Sequence, residues 1–96
     1  MKETTFYIVL NIKTAKGFES FGKFFIGNSR ELAATLFRKL RGSKNAKEKN
    51  FLQLDLMETI NVLPVNMQMI SCSLDELAEN CKIITKEIFK LFNLKE

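Results

Sequence analysis

The sequence predicts an α+β domain in which two ββα units share a four-stranded, mainly antiparallel sheet with both helices on one face. Two periodicities predict this fold class. Apolar residues alternate with polar ones in four short stretches, as in β-strands, and recur every three or four residues in two longer stretches, as in helices. The stretches follow one another as strand, strand, helix and again strand, strand, helix, which favours a two-layer sandwich.

The first unit begins with the clearest strand, over residues 6–13. One side of that strand carries apolar residues only, and the other side carries Tyr7, Val9, Asn11 and Lys13. A hairpin connection over residues 14–20 leads to a second, aromatic-rich strand over residues 21–26. Asn28 then stands three residues before Glu31, as in a capping box, which predicts a helix of about 13 residues ended by Gly42.

The second unit repeats this plan. Alternation over residues 51–56 predicts a third strand, and alternation over residues 65–70 predicts a fourth, with Met67 and Met69 facing the core and Ile70 on the other side. Ser73 and Glu76 form a second capping box at the start of the last helix. The apolar stripe of this helix runs from Leu74 to Phe92, and Ile83 lies nearly opposite to it.

A shift of 45 positions superposes Phe6 on Phe51, Asn28 on Ser73 and Glu31 on Glu76, which indicates two related halves. We expect a single domain, 1–96, with halves at about 5–42 and 51–95 and a basic, polar connection over residues 43–50.

Composition places the chain among globular proteins, because 46% of its 96 residues are apolar and 27% are charged. Two cysteines are too few for the disulfide framework of a small secreted domain. The apolar run near the N-terminus has the pattern of a strand and not that of a signal peptide. We therefore expect a cytoplasmic protein that does not cross a membrane.

The face of the sheet away from the helices is the first candidate site. It is predicted to display aromatic and aliphatic groups among amides, and a large exposed patch of that kind is typical of an interface. The leading hypothesis is a non-enzymatic protein-interaction domain that self-associates as a homodimer, or binds another protein, through this face or through a strand edge. The candidate interface residues are Tyr7, Val9, Phe21, Phe25, Phe51 and Ile70.

Weak, low-specificity nucleic-acid binding is the alternative hypothesis. Residues 1–50 carry 11 Lys and Arg against 4 Glu, a balance of +7, and aromatic rings on the sheet could stack on bases. Arg38, Arg41 and Lys44 are candidate phosphate contacts. A solvated helix end followed by a polar linker explains the same three residues. The order ββαββα also differs from the βαββαβ order of RNA-recognition motifs.

Catalysis has little support in the sequence. The chain has no histidine, the commonest general base and metal ligand, and Cys72 and Cys81 are not spaced as zinc ligands. We expect no catalytic residue, metal or cofactor. A small-ligand domain is a third possibility, and its mark would be a closed pocket with convergent polar groups.

Overall fold

The computed structural model describes residues 4–43 and 51–93. Two strands and a helix, then two strands and a helix, follow in the predicted order ββαββα. The elements are β1 (Thr4–Thr14), β2 (Gly17–Gly27), α1 (Arg30–Arg38), β3 (Leu52–Ile60), β4 (Leu63–Cys72) and α2 (Leu74–Asn93). The strands are longer than predicted, most of all β2, although β3 begins one residue later than predicted. Of the basic connection, residues 44–50 lie outside the described residues.

The four strands form one antiparallel sheet in the order β2-β1-β3-β4. Each unit is a hairpin, and the two hairpins join along β1 and β3, where Leu10 pairs with Leu54. The α+β class predicted from the sequence is confirmed. The strand order is a finding of the structure, because periodicity alone does not specify which strands are neighbours.

The core contains side chains of both helices and of alternate residues of the central strands. Alternate residues of a strand point to the same side of a sheet, so the core lies on one side only. In the described part of the chain, the buried members of this cluster are Phe6, Ile8, Ile26, Ala33, Leu36, Phe37, Leu54, Leu56, Ile70, Cys72 and Ile84.

The two helices begin at serine residues. The Ser73 hydroxyl accepts a hydrogen bond from the Glu76 backbone N–H, and the Glu76 carboxylate accepts one from the Ser73 N–H, which confirms the second capping box. The first cap was assigned to the wrong residue. Ser29, and not Asn28, caps α1, through a hydrogen bond from the Leu32 N–H to the Ser29 hydroxyl.

The helix caps and several core residues of the two units correspond at a shift of 44 positions, one fewer than the shift taken from the sequence. At that shift Ser29 coincides with Ser73 before each helix, and Ile26 coincides with Ile70 in the core. Leu36 of α1 coincides with Asn80 of α2, and both are buried. The correspondence of Asn28 with Ser73 at a shift of 45 rested on the wrong helix cap.

Helix α1 has 9 residues, which makes it shorter than predicted, because the chain after it is held in an extended course beside α2 and β4. The Asn80 side chain accepts a hydrogen bond from the Arg41 N–H (2.7 Å) and donates one to the Arg41 carbonyl (2.8 Å). Two residues on, Ser43 and Ser71 exchange backbone hydrogen bonds. This contact covers part of the outer edge of β4.

Gly42 lies between these two contacts and has no room for a side chain. A Cβ atom there would stand 2.6 Å from the Ser71 carbonyl oxygen. Because Asn80 faces inward, the buried side of α2 is rotated relative to the apolar stripe predicted from the sequence. Ile83 packs against the core, whereas Leu74 is 72% exposed, so the predicted positions of both residues were wrong.

Among the described residues, neither helix combines the length and the apolar character needed to span a lipid bilayer.

Candidate functional site

The face of the sheet opposite the core is the candidate site, and we call it the open face. Strand pairing places its residues in rows across the sheet, because directly paired residues share a face. One row is Phe25, Tyr7 and Met57, and the next is Lys23, Val9, Asp55 and Met69. A third row pairs Ser20, Asn11, Gln53 and Ser71. None of the described helices covers these rows.

Three exposed phenylalanines on the open face, Phe18, Phe25 and Phe51, give it its apolar character, and Phe21 is exposed beside them on β2. Phe18 pairs with Lys13, while Phe21 and Phe25 follow along β2 and Phe51 directly precedes β3. Between 49% and 64% of the surface of each is exposed. Such a group of exposed rings on one face is the kind of patch that marks interaction sites in soluble proteins.

A β-bulge contributes to this exposure. Leu10 pairs with Gly22 and Asn11 pairs with Ser20, so Phe21 is an extra residue in β2. Bulges bend an edge strand and interrupt its hydrogen-bonding ladder, which makes a continuous pairing with another strand less favourable. The open face, more than the edge of β2, is therefore the surface that offers a regular contact area.

The centre of the open face is a hydrogen-bonded ladder of polar side chains. Ser20 donates to the Asn11 amide oxygen (2.8 Å), and the Asn11 amide donates to one Asp55 oxygen (2.7 Å). The Gln53 amide donates to the other Asp55 oxygen (3.0 Å). Asp55 is only 8% exposed, although no layer of the described chain lies over it. The ladder therefore holds one carboxylate in a fixed orientation at the middle of the face.

Lys23 is in the same row as Asp55 and lies on the other side of β1. The Lys23 ammonium is 4.8 Å from the centre of the Tyr7 ring, and the Tyr7 and Phe25 rings are 6.0 Å apart. An ammonium over an aromatic face is attracted by the ring's electron density. The contact holds Lys23 over the open face.

Four of the six predicted interface residues lie on the open face, and a fifth, Phe21, is the exposed, unpaired bulge residue of β2. Val9, Phe25 and Phe51 are on the open face, and Tyr7 is on the same face but only 9% exposed, because Phe25 and Lys23 pack against it.

The sixth residue, Ile70, was placed on the wrong side. Ile70 pairs with Leu54 and is 6% exposed in the core, whereas Met69 pairs with Asp55 on the open face. Leu56 pairs with Gln68 and the adjacent Met57 pairs with Asn66, so β4 contains a bulge at Met67 that breaks the simple alternation. Met67 still packs against the core, as predicted.

The candidate phosphate contacts are not brought together with the aromatic rings. Arg38 ends α1 and donates to the Thr35 hydroxyl (3.3 Å) in the same helix. Arg41 lines a polar groove together with the acidic residues Asp75, Glu76 and Glu79 at the start of α2. Lys44 lies outside the described residues.

The described residues include no group of three or more histidines, cysteines or acids that could hold a metal ion. Cys72 is fully buried, and burial together with the nearby charge of Glu76 raises the pKa of its thiol to about 11. A thiol with such a pKa stays protonated at neutral pH and is a poor nucleophile.

An open groove runs along the outward side of α2. It has a volume of about 490 Å³ and is lined by Cys81, Lys82, Thr85, Lys86 and Phe89. Its described walls come from a single helix and carry no convergent set of polar groups, unlike a closed ligand pocket.

Sequence reasoning missed the polar ladder as a unit. The alternation over residues 6–13 and 51–56 puts Asn11, Gln53 and Asp55 at outward positions of two strands, and these polar residues were the available signal. Their contact depends on the register of β1 with β3, in which Asn11 pairs with Gln53 and lies next to the Val9–Asp55 pair.

No protein-family profile matches this chain, and neither the curated proteins nor the solved structures contain a significant match.

Proposed function

We propose that this protein is a non-enzymatic interaction domain that self-associates through its open face. The observation that carries the proposal is the set of three exposed phenylalanines, Phe18, Phe25 and Phe51, on a sheet face that no described helix covers. An antiparallel sheet with one solvated face usually carries polar residues there. Removing these rings from water is favourable by about 25 cal/mol for each Å² of apolar surface buried.

The area of the open face is compatible with a specific contact. Four strands spaced ~4.8 Å apart and about nine residues long cover roughly 600 Å² on each copy. Two such faces would bury about 1,200 Å² in total, the lower end of the range for specific protein interfaces. A contact in which three of the four strands overlap would bury about 900 Å² in total, the size of a weak, transient interface.

Nucleic-acid binding is the competing function, and the distribution of charge disfavours it. Base-stacking surfaces place cations beside the aromatic rings. Here Lys13 and Lys23 accompany the rings, but the Asp55 carboxylate occupies the centre of the same face. Arg38 and Arg41 belong to α1 and the segment after it.

Sedimentation velocity over a hundredfold range of protein concentration tests the proposal. The wild type should form a dimer that persists in high salt, and Phe25→Asp should be monomeric at the same concentrations because the substitution places a charge in the contact. Phe89→Asp is the matched control. Phe89 is 58% exposed on α2, and Phe25 is 59% exposed on β2. The control should remain dimeric.

A wild type that stays monomeric at high micromolar concentration would refute self-association. A dimer broken by Phe89→Asp but not by Phe25→Asp would move the interface to α2. Titration of a fluorescent single-stranded oligonucleotide at low salt, where phosphate contacts are strongest, tests nucleic-acid binding independently of self-association. Binding that is lost in Phe25→Asp, with a monomeric wild type, would identify the open face as a nucleic-acid surface.

A further inference from the structure

From the rows of the open face, we infer that the partner is a second copy of this chain, packed face to face about a two-fold axis that runs parallel to β1. In this arrangement Lys23 of each copy faces Asp55 of the partner subunit. The inference rests on the proposed self-association and adds its symmetry and its register.

The argument starts from the row that contains both charged residues. Val9 pairs with Lys23 on one side and with Asp55 on the other, so the two charges flank β1 at equal distances of one strand spacing. A two-fold axis between the sheets and parallel to β1 exchanges the β2 side with the β3 side. It therefore superposes Lys23 of one copy on Asp55 of the other, and does so twice.

The row that contains Tyr7 is also complementary under this operation. Tyr7 pairs with Phe25 on one side and with Met57 on the other, so each Phe25 ring faces Met57 of the partner subunit. Contacts between a thioether sulfur and an aromatic ring are favourable. At the end of the face Phe18 pairs with Lys13, and the Lys13 N–H bonds to the Phe51 carbonyl. The axis directs these two phenylalanines toward each other.

The arrangement agrees with general sheet packing. Two packed sheets lie about 10 Å apart with their strands within about 30° of each other, so rows close to the axis keep their partners. The charges also indicate that the partner is a second copy of this chain. Asp55 is oriented by the neutral amides of Asn11 and Gln53, and the chain supplies a cation, Lys23, at the matching position of a second copy.

The first experiment mixes two single variants, Phe25→Lys and Met57→Glu, each of which places a charge opposite an apolar group in its own homodimer. Each variant alone should dimerise at least roughly tenfold more weakly than the wild type. In their equimolar mixture, the ammonium introduced in one copy faces the carboxylate introduced in the other at one contact, and Phe25 still faces Met57 at the second. The mixture should recover dimers at concentrations where each variant is monomeric.

A wild type that dimerises while the mixture stays monomeric would overturn the face-to-face register and leave self-association intact. A monomeric wild type would refute the proposed function itself. The two failures are therefore distinguishable in one series of sedimentation runs, with circular dichroism of each variant as the check on folding.

A double-mutant cycle on the dimer dissociation constant keeps the inference testable if Met57→Glu does not fold. Lys23→Ala and Asp55→Asn should each weaken the dimer, and Asp55→Asn should cost little once Lys23 has been replaced, because the same contact is lost only once. Additive effects of the two substitutions would overturn the Lys23–Asp55 contact.

Discussion

The two ββα units have the same architecture, and they differ in how they treat the outer edges of the sheet and their hairpin turns. At equivalent positions of the two helices, Leu36 packs into the core while Asn80 binds the backbone of Arg41. The second unit therefore holds a passing segment against β4, and β2 has no such cover among the described residues. Asn80, a polar residue at a position that is apolar in α1, helps to hold the segment that covers the β4 edge.

The difference extends to the hairpins. In the first unit, the two residues between Thr14 and Gly17 form the turn. Gly17 itself has a φ of 110°, a value that suits glycine. In the second unit Asn61 (φ 53°) and Val62 (φ 64°) form the two-residue turn. A β-branched residue is strained in this region, so the second hairpin carries a local cost that the first avoids.

Asn80→Leu makes the second helix resemble the first, and among the substitutions that test this comparison it should have the largest effect on the free energy of unfolding. The Arg41 N–H and carbonyl would lose their partners, and each unsatisfied buried group costs about 1–3 kcal/mol. We expect the free energy of unfolding to fall by about 2–4 kcal/mol in urea denaturation. Glu79→Leu, at the exposed neighbouring position, should change it by less than about 0.5 kcal/mol. Equal stability of Asn80→Leu and the wild type would show that the hydrogen bonds between Asn80 and the Arg41 backbone contribute nothing to stability.

Val62→Gly should make the second turn resemble the favoured asparagine–glycine turn. The relief of strain at a positive φ exceeds the entropy lost by ordering glycine, so we expect about 1 kcal/mol of stabilisation, measured as a higher midpoint of thermal unfolding. Ala15→Gly is the control in the first turn, where φ is not positive, and should destabilise. Destabilisation by both substitutions would contradict the strain argument.

The smallest expected effect concerns the contact between the two helices. Lys39, just after α1, donates to Glu87 of α2 (3.2 Å), and this hydrogen bond lowers the pKa of the Glu87 carboxyl. A lowered pKa in the folded state means that the contribution to stability is present above the carboxyl's unfolded pKa and is lost as the pH falls through the folded one.

Lys39→Ala should therefore lower the free energy of unfolding near neutral pH by about 0.5 kcal/mol or less, and the difference from the wild type should shrink toward about pH 3. Urea denaturation at both pH values measures it, with Lys82→Ala on the outward side of α2 as the control. A difference that grows on acidification would have the wrong sign for this contact.

Much of the candidate site could be predicted from the sequence. Alternation in residues 6–13 identified Tyr7 and Val9 as open-face residues, since the period of a strand is local. The same reasoning failed at Ile70, because the bulge at Met67 shifts the alternation and nothing in the local sequence marks it. The polar ladder around Asp55 required the register between two strands that are more than 40 residues apart in the chain.

The sequence by itself determined the elements, their order and the α+β class, since hydrophobic period and helix caps are properties of neighbouring residues. The tertiary structure alone decided the strand order, the covering of the β4 edge by Ser43 and the rows that place Lys23 and Asp55 on either side of Val9. These features depend on pairing between distant segments, where the free energy comes from burying one face of the whole sheet and not from any local preference.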